Sequence, residues 1–102
     1  TALMLANAVS KGKNKKLESI KGKIFLNKKG NLQKNKINFF INRKGNTIGR
    51  HSVLFNNKIE NIELKHTAFS RELFADGAIN ATIWISKKNK GLFNMHDMLS
   101  LK

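Results

Sequence analysis

The chain has 102 residues, room for one domain and little more, and 40% of them are hydrophobic, an ordinary share for a globular protein. Twenty Lys and Arg against six Asp and Glu leave a formal net charge of +14, which calls for an anionic partner: nucleic acid first, an anionic membrane or an acidic protein next. The absence of cysteine excludes disulfides and thiolate zinc sites, and the apolar opening run is too short to span a membrane and lacks the basic lead of a signal peptide.

Residues 1–9 (TALMLANAV) are rich in Ala and Leu and predict a short helix, followed by a basic joint at 10–16 (SKGKNKK). A start on Thr1 and not Met fits a piece cut from a longer protein. KIFL (23–26) predicts a strand, with a turn at Lys29-Gly30-Asn31. INFFIN (37–42) predicts a second strand, and Lys44-Gly45-Asn46 turns the chain into TIGRHSVLF (47–55). Asn56-Asn57-Lys58 turns again into IENIELKH (59–66). Successive hairpins imply an antiparallel sheet. A short helix is expected at 67–76, with Phe69 and Leu73 four apart and Asp76-Gly77 as its stop. AINATIWIS (78–86) alternates and predicts a last clear strand, whereas residues 91–102 fit helix or strand equally.

The expected fold class is therefore α+β: an N-terminal helix or helices, then a mainly antiparallel sheet of hairpins with one short helix inserted. One domain is expected over 1–102, with an N-terminal helical segment at 1–22 and a sheet-rich core at 23–102.

The stretch from His51 to His66 supports a register argument. A hairpin with a four-residue loop at Asn57 to Glu60 sets Phe55 against Ile62, Val53 against Leu64 and His51 against His66. Period-two alternation then places all six on one face, with both histidines at its open end. Two imidazoles on neighbouring strands suit phosphodiester transfer. One takes the proton of a 2′-hydroxyl and the other protonates the leaving 5′-oxygen. A nearby cation stabilises the charged transition state. Six scattered carboxylates disfavour a two-metal site, so this route uses no metal and no cofactor. The plain alternative is a pair of half-buried polar residues at a sheet rim.

As a strand, 79–86 would put Trp84 and Thr82 on the polar face, where Trp84 could stack on a base; its alternative is packing under the C-terminal segment. Lys87, Lys88 and Lys90 fit phosphate contacts or a solvated turn. Arg71 is the candidate phosphate clamp, with a surface helix position as its alternative. His96 beside Asp97 could orient a substrate or cap a helix.

These residues resemble the EndoU type of endoribonuclease and the wider barnase–EndoU–colicin–RelE group. The spacing of His51 and His66 and the run Thr82-Ile83-Trp84 carry the resemblance, Trp84 standing where the family has Tyr. The family's glycine-rich surroundings are absent, and no Lys lies between His66 and Thr82, so Arg71 or Lys87 would stand in. The chain is also similar to toxin domains of contact-dependent growth inhibition systems. The resemblance implies catalysis by His51, His66 and Thr82, with substrate held by Arg71, Trp84 and Lys87. It further implies tRNA as the RNA cleaved, an acidic immunity protein as partner, no stable membrane insertion, and delivery from a secreted precursor. The competing readings are a non-catalytic RNA- or DNA-binding module and a basic domain bound mainly by an acidic protein.

Overall fold

A computed structural model describes residues 1–43 and 45–101. The chain divides into two compact units, Thr1–Thr67 and Ala68–Lys102. Together they give an α+β protein with two small sheets, eight elements in all among the described residues.

Helix α1 (Ala2–Gly12) forms from good helix formers, with Ala6 and Ser10 buried and Leu5 and Val9 half-buried on the same face, the i, i+3, i+4 spacing of an amphipathic helix. The Ser10 hydroxyl is satisfied by donating to the Asn7 carbonyl at 2.8 Å. Asn14, at φ 56°, ends the helix: its N–H bonds Lys11 O and the next N–H, of Lys15, bonds Ser10 O, the two bonds of a Schellman cap. Helix α2 (Leu17–Ile20) buries Ile20 and leads straight into β1 (Lys21–Leu26).

Strand β1 pairs with β2 (Ile37–Ile41) in parallel, with Ile24 opposite Phe39, Phe25 opposite Phe40 and Leu26 opposite Ile41. This corrects the expected antiparallel arrangement. The cause is the ten-residue connection 27–36, which carries the chain back so that β2 starts beside the start of β1. Asn38 pins that connection through reciprocal 3.0 Å bonds with the Gln33 backbone. Phe25 and Phe39 are buried, and the Phe25 ring stacks on Phe40 at 5.0 Å. Of the turn expected at Lys44-Gly45-Asn46, Lys44 lies outside the described residues; Gly45 takes φ +68°, a left-handed value natural to glycine.

Strands β3 (Gly49–Asn56) and β4 (Asn61–Ala68) are hydrogen-bonded neighbours joined by four residues, the hairpin the sequence predicts. Asn57 builds the loop: its N–H bonds Glu60 O at 3.0 Å, and its Oδ1 accepts from the N–H groups of Ile59 and Glu60 at 2.9 Å.

In the second unit, α3 (Glu72–Ser86) runs for fifteen residues, which corrects both the short helix at 67–76 and the strand at 78–86. Asp76-Gly77 is helix interior, not a stop. The half-buried positions Gly77, Ala81 and Trp84 recur at helical spacing. Helix α4 (Met95–Met98) carries a capping box from Asn94 and Asp97, and Ser100, at φ 54°, closes it with a second Schellman pair.

Two glycines make opposite predictions. A Cβ at Gly77 meets nothing within 4 Å, so Gly77→Ala is expected to stabilise by about 1 kcal/mol through helix propensity. A Cβ at Gly30 would overlap the Phe25 ring, so Gly30→Ala is expected to destabilise by roughly 1–3 kcal/mol. Chemical denaturation of the two variants checks both signs.

Candidate functional site

His51 and His66 sit on the two hydrogen-bonded strands of the β3–β4 ribbon, as expected, with His51 half-buried and His66 exposed. The remaining residues singled out from the sequence all lie on the second unit, around α3. Arg71 is its N-cap residue and Lys87 its C-cap. A helix of that length spans about 22 Å, so the two ends cannot grip one phosphate. Thr82 and Trp84, two apart on a helix, do not share a face. The Thr82 hydroxyl donates to the Ala78 carbonyl at 2.9 Å within its own helix. The Trp84 ring meets Phe93 edge-on at 5.4 Å, and the Lys88 ammonium lies 4.6 Å from its centre. Trp84 thus takes the packing alternative, not an open stacking face. Asp97 takes the capping alternative, its Oδ2 accepting from the Asn94 N–H at 2.8 Å.

Two concave surfaces stand out, one in each unit. A groove of about 190 Å³ between α3 and α4 is lined mainly by apolar groups, among them Trp84, Ile85, Phe93 and Met95. A larger one, about 390 Å³, lies at the carboxyl ends of β1 and β2 and is lined by Asn27, Lys28, Lys29, Phe40, Ile41 and Asn42. Asn27 anchors it: at φ 51°, its N–H donates to Ile41 O at 2.7 Å and its Oδ1 accepts from the Arg43 N–H at 2.9 Å. Reading for motifs missed this groove. The signal that finds it is the charge sequence: no Asp or Glu occurs between Glu18 and Glu60. No group of three or more metal-ligating side chains occurs among the described residues, and no helix of them is long and apolar enough to cross a membrane.

The described residues also leave an unusual amount of surface open. Among the described residues only Ala6, Ile20, Phe25, Phe39 and Ala68 are buried apolar residues, and α3 buries none. The β3–β4 ribbon and helix α3 each carry exposed apolar side chains, among them Leu54 and Ile62 on the ribbon and Leu73 and Ile79 on the helix.

The family model described as "Dihydrodipicolinate reductase, C-terminus" matches residues 1–99, and the chain belongs to that family. It is 47% identical over 102 residues to the 4-hydroxy-tetrahydrodipicolinate reductase of Pelagibacter ubique, covering 100% of this chain and 40% of the relative. The protein of that name from Buchnera aphidicola subsp. Cinara cedri is 48% identical over 97% of this chain and 36% of its own length. The one from Campylobacter hominis is 39% identical over 100% of this chain and 40% of its own. The chain thus spans about two-fifths of the length of these relatives.

Membership in a reductase family overturns the EndoU and toxin resemblance, and with it the endoribonuclease activity, the RNA and immunity-protein partners and the secreted origin. The non-catalytic nucleic-acid module and the domain serving an acidic protein fall with them. His51, His66 and Thr82 keep the positions described above, without the ribonuclease chemistry.

The α4 cap offers a direct check on this unit. Asn94→Ala removes the side-chain acceptor of the Asp97 N–H, at 3.1 Å, and is expected to cost about 0.5–2 kcal/mol. The single tryptophan, packed on Phe93, reports the loss as a shifted unfolding midpoint in emission.

Proposed function

We propose that the chain is the C-terminal part of a reductase acting on 4-hydroxy-tetrahydrodipicolinate. The observation that carries this reading is identity at 47% across the whole chain, supported by a family match from residue 1 to residue 99. Reduction needs an electron donor. The seven glycines stand at 12, 22, 30, 45, 49, 77 and 91, and none forms the G-x-G-x-x-G turn that cradles a dinucleotide. The residues present do not fit such a cofactor, and donor binding belongs to the larger portion of such a reductase that this chain does not span. The test is turnover by the full-length protein, with 4-hydroxy-tetrahydrodipicolinate as substrate and reduced nicotinamide cofactor as donor. Substrate-dependent oxidation of the cofactor is the expected outcome. A folded protein that leaves both compounds unchanged would refute the assignment.

The β3–β4 ribbon supports a companion reading, self-association. Leu54, Phe55, Ile62 and Leu64 are all exposed on a sheet of only two strands. Such a ribbon is marginal alone and gains stability when further strands or a second layer cover it. A second copy offers the same apolar strands and open edges, so the ribbon becomes part of a larger sheet or sandwich. Light scattering of the full-length protein should give a multiple of the chain mass. Ile62→Asp with Leu64→Asp should shift it to the single-chain mass, because charges on the ribbon oppose burial. A single-chain mass for the unaltered protein would defeat this reading.

A further inference from the structure

The first unit carries an aromatic ring that its own packing leaves half open. Phe25 and Phe40 stand opposite each other on the parallel strands β1 and β2, and their rings stack at 5.0 Å with 16° between the planes. Phe25 is buried, and the loop that follows passes so close to it at Gly30 that a Cβ there would overlap the ring. Phe40 is 55% exposed. Its ring is supported by Phe25 and lines the groove at the carboxyl ends of the two strands. A supported ring left in water forgoes the burial that usually holds a phenylalanine inside. A flat ligand laid on it recovers that burial and extends the stack by one layer.

The rest of the lining is cationic and amide. Lys28 and Lys29 are adjacent in the loop after β1 and line the same groove. They belong to the run between Glu18 and Glu60, which holds ten Lys and Arg and no acid, so no carboxylate of that run competes for them. Asn27 and Asn42 add side-chain amides, each able to donate and to accept. The Asn27 N–H bonds Ile41 O at 2.7 Å and its Oδ1 accepts from the Arg43 N–H at 2.9 Å, so the lysine loop leaves the sheet in a fixed direction. The volume, about 390 Å³, falls in the range of small-ligand sites. We propose that this groove is a site for a free purine nucleotide with a short phosphate chain. The base stacks on Phe40, the Asn42 amide meets its polar edge, and the phosphates lie on Lys28 and Lys29. A bare phosphate chain makes no use of Phe40, and a neutral flat molecule makes none of the lysines. The groove lies wholly within the unit Thr1–Thr67 and is independent of the reductase reading, whose electron donor belongs to the portion this chain does not span.

The test is isothermal titration calorimetry of the full-length protein with ADP, with inorganic pyrophosphate and with the reduced nicotinamide cofactor, each alone. Lys28 and Lys29 are both exposed, so Lys28→Gln with Lys29→Gln leaves the core untouched. This double variant is expected to bind one ADP fewer per chain, or to bind it roughly tenfold to a hundredfold more weakly, and to lose pyrophosphate in the same proportion. Phe40→Leu is expected to weaken ADP by roughly fivefold to a hundredfold and to leave pyrophosphate unchanged, which also shows that the groove is still formed. Lys87→Gln with Lys90→Gln removes the same net charge elsewhere and is expected to leave ADP binding as it was. Equal loss in the two lysine double variants would reduce the effect to net charge and overturn the proposal. Unchanged ADP binding in the Lys28/Lys29 variant or in Phe40→Leu would overturn it as well. If the Lys28/Lys29 variant weakened the nicotinamide cofactor as much as ADP, the groove would hold one end of the electron donor, and a site for a free nucleotide would be refuted.

Discussion

Uncovered apolar surface is the constraint on which the rest of this structure depends. The first unit buries Phe25 and Phe39 on a parallel pair, with Ala6, Ser10 and Ile20 buried on its helices. Those few residues serve β1, β2, α1 and α2. The ribbon and the long helix α3 have no comparable cover, and Ile59, Phe69 and Leu92 are each at least 90% exposed. Hydrophobic burial is the main favourable term in folding, at roughly 25 cal/mol per Å². Covering those side chains would add stability in proportion to the apolar area removed from water. Local devices hold the elements in shape meanwhile: the Asn57 loop, the Asn94–Asp97 box and two Schellman caps closed by Asn14 and Ser100.

The elements legible from sequence are those whose local chemistry is unambiguous. The β3–β4 hairpin follows from two strand-like runs and an Asn-rich loop of fixed length, and Asn57 acts as a turn residue should. Helix α1 follows from Ala and Leu. The parallel pairing of β1 and β2 was hidden because turn residues at 29–31 reveal that the chain bends, but not which way the next strand runs. Helix α3 was hidden because its period is ambiguous. Ile79, Ile83 and Ile85 alternate as a strand does, yet Ile79 and Ile83 are also four apart, and Ala81 and Ile85 likewise. Gly77 weakens a helix without ending it when flanking residues continue the hydrogen-bond ladder, and here they do.

The site was less legible than the fold, for a different reason. Two histidines on neighbouring strands are an arrangement that several chemistries share, and the strand placement of His51 and His66 does not choose among them. Thr82 and Trp84 join the constellation only if 78–86 is a strand, and it is helix. On a helix, Thr82 spends its hydroxyl on Ala78, and Trp84 packs on Phe93 beneath Lys88. One wrong period thus removed the third and fourth members of the constellation together.

Net charge misled in an instructive way. A value of +14 states that some anion is attractive, and a polyanion is the usual inference because it rewards many dispersed cations. Distribution carries more information than the sum. Near neutrality after residue 59, against strong excess before it, is not the even coverage expected of a surface that tracks a phosphate backbone. A local excess of cations raises the local concentration of anions around that part of the chain and leaves the rest near neutral. The same cations, read only as a total, do not show where along the chain an anion is favoured.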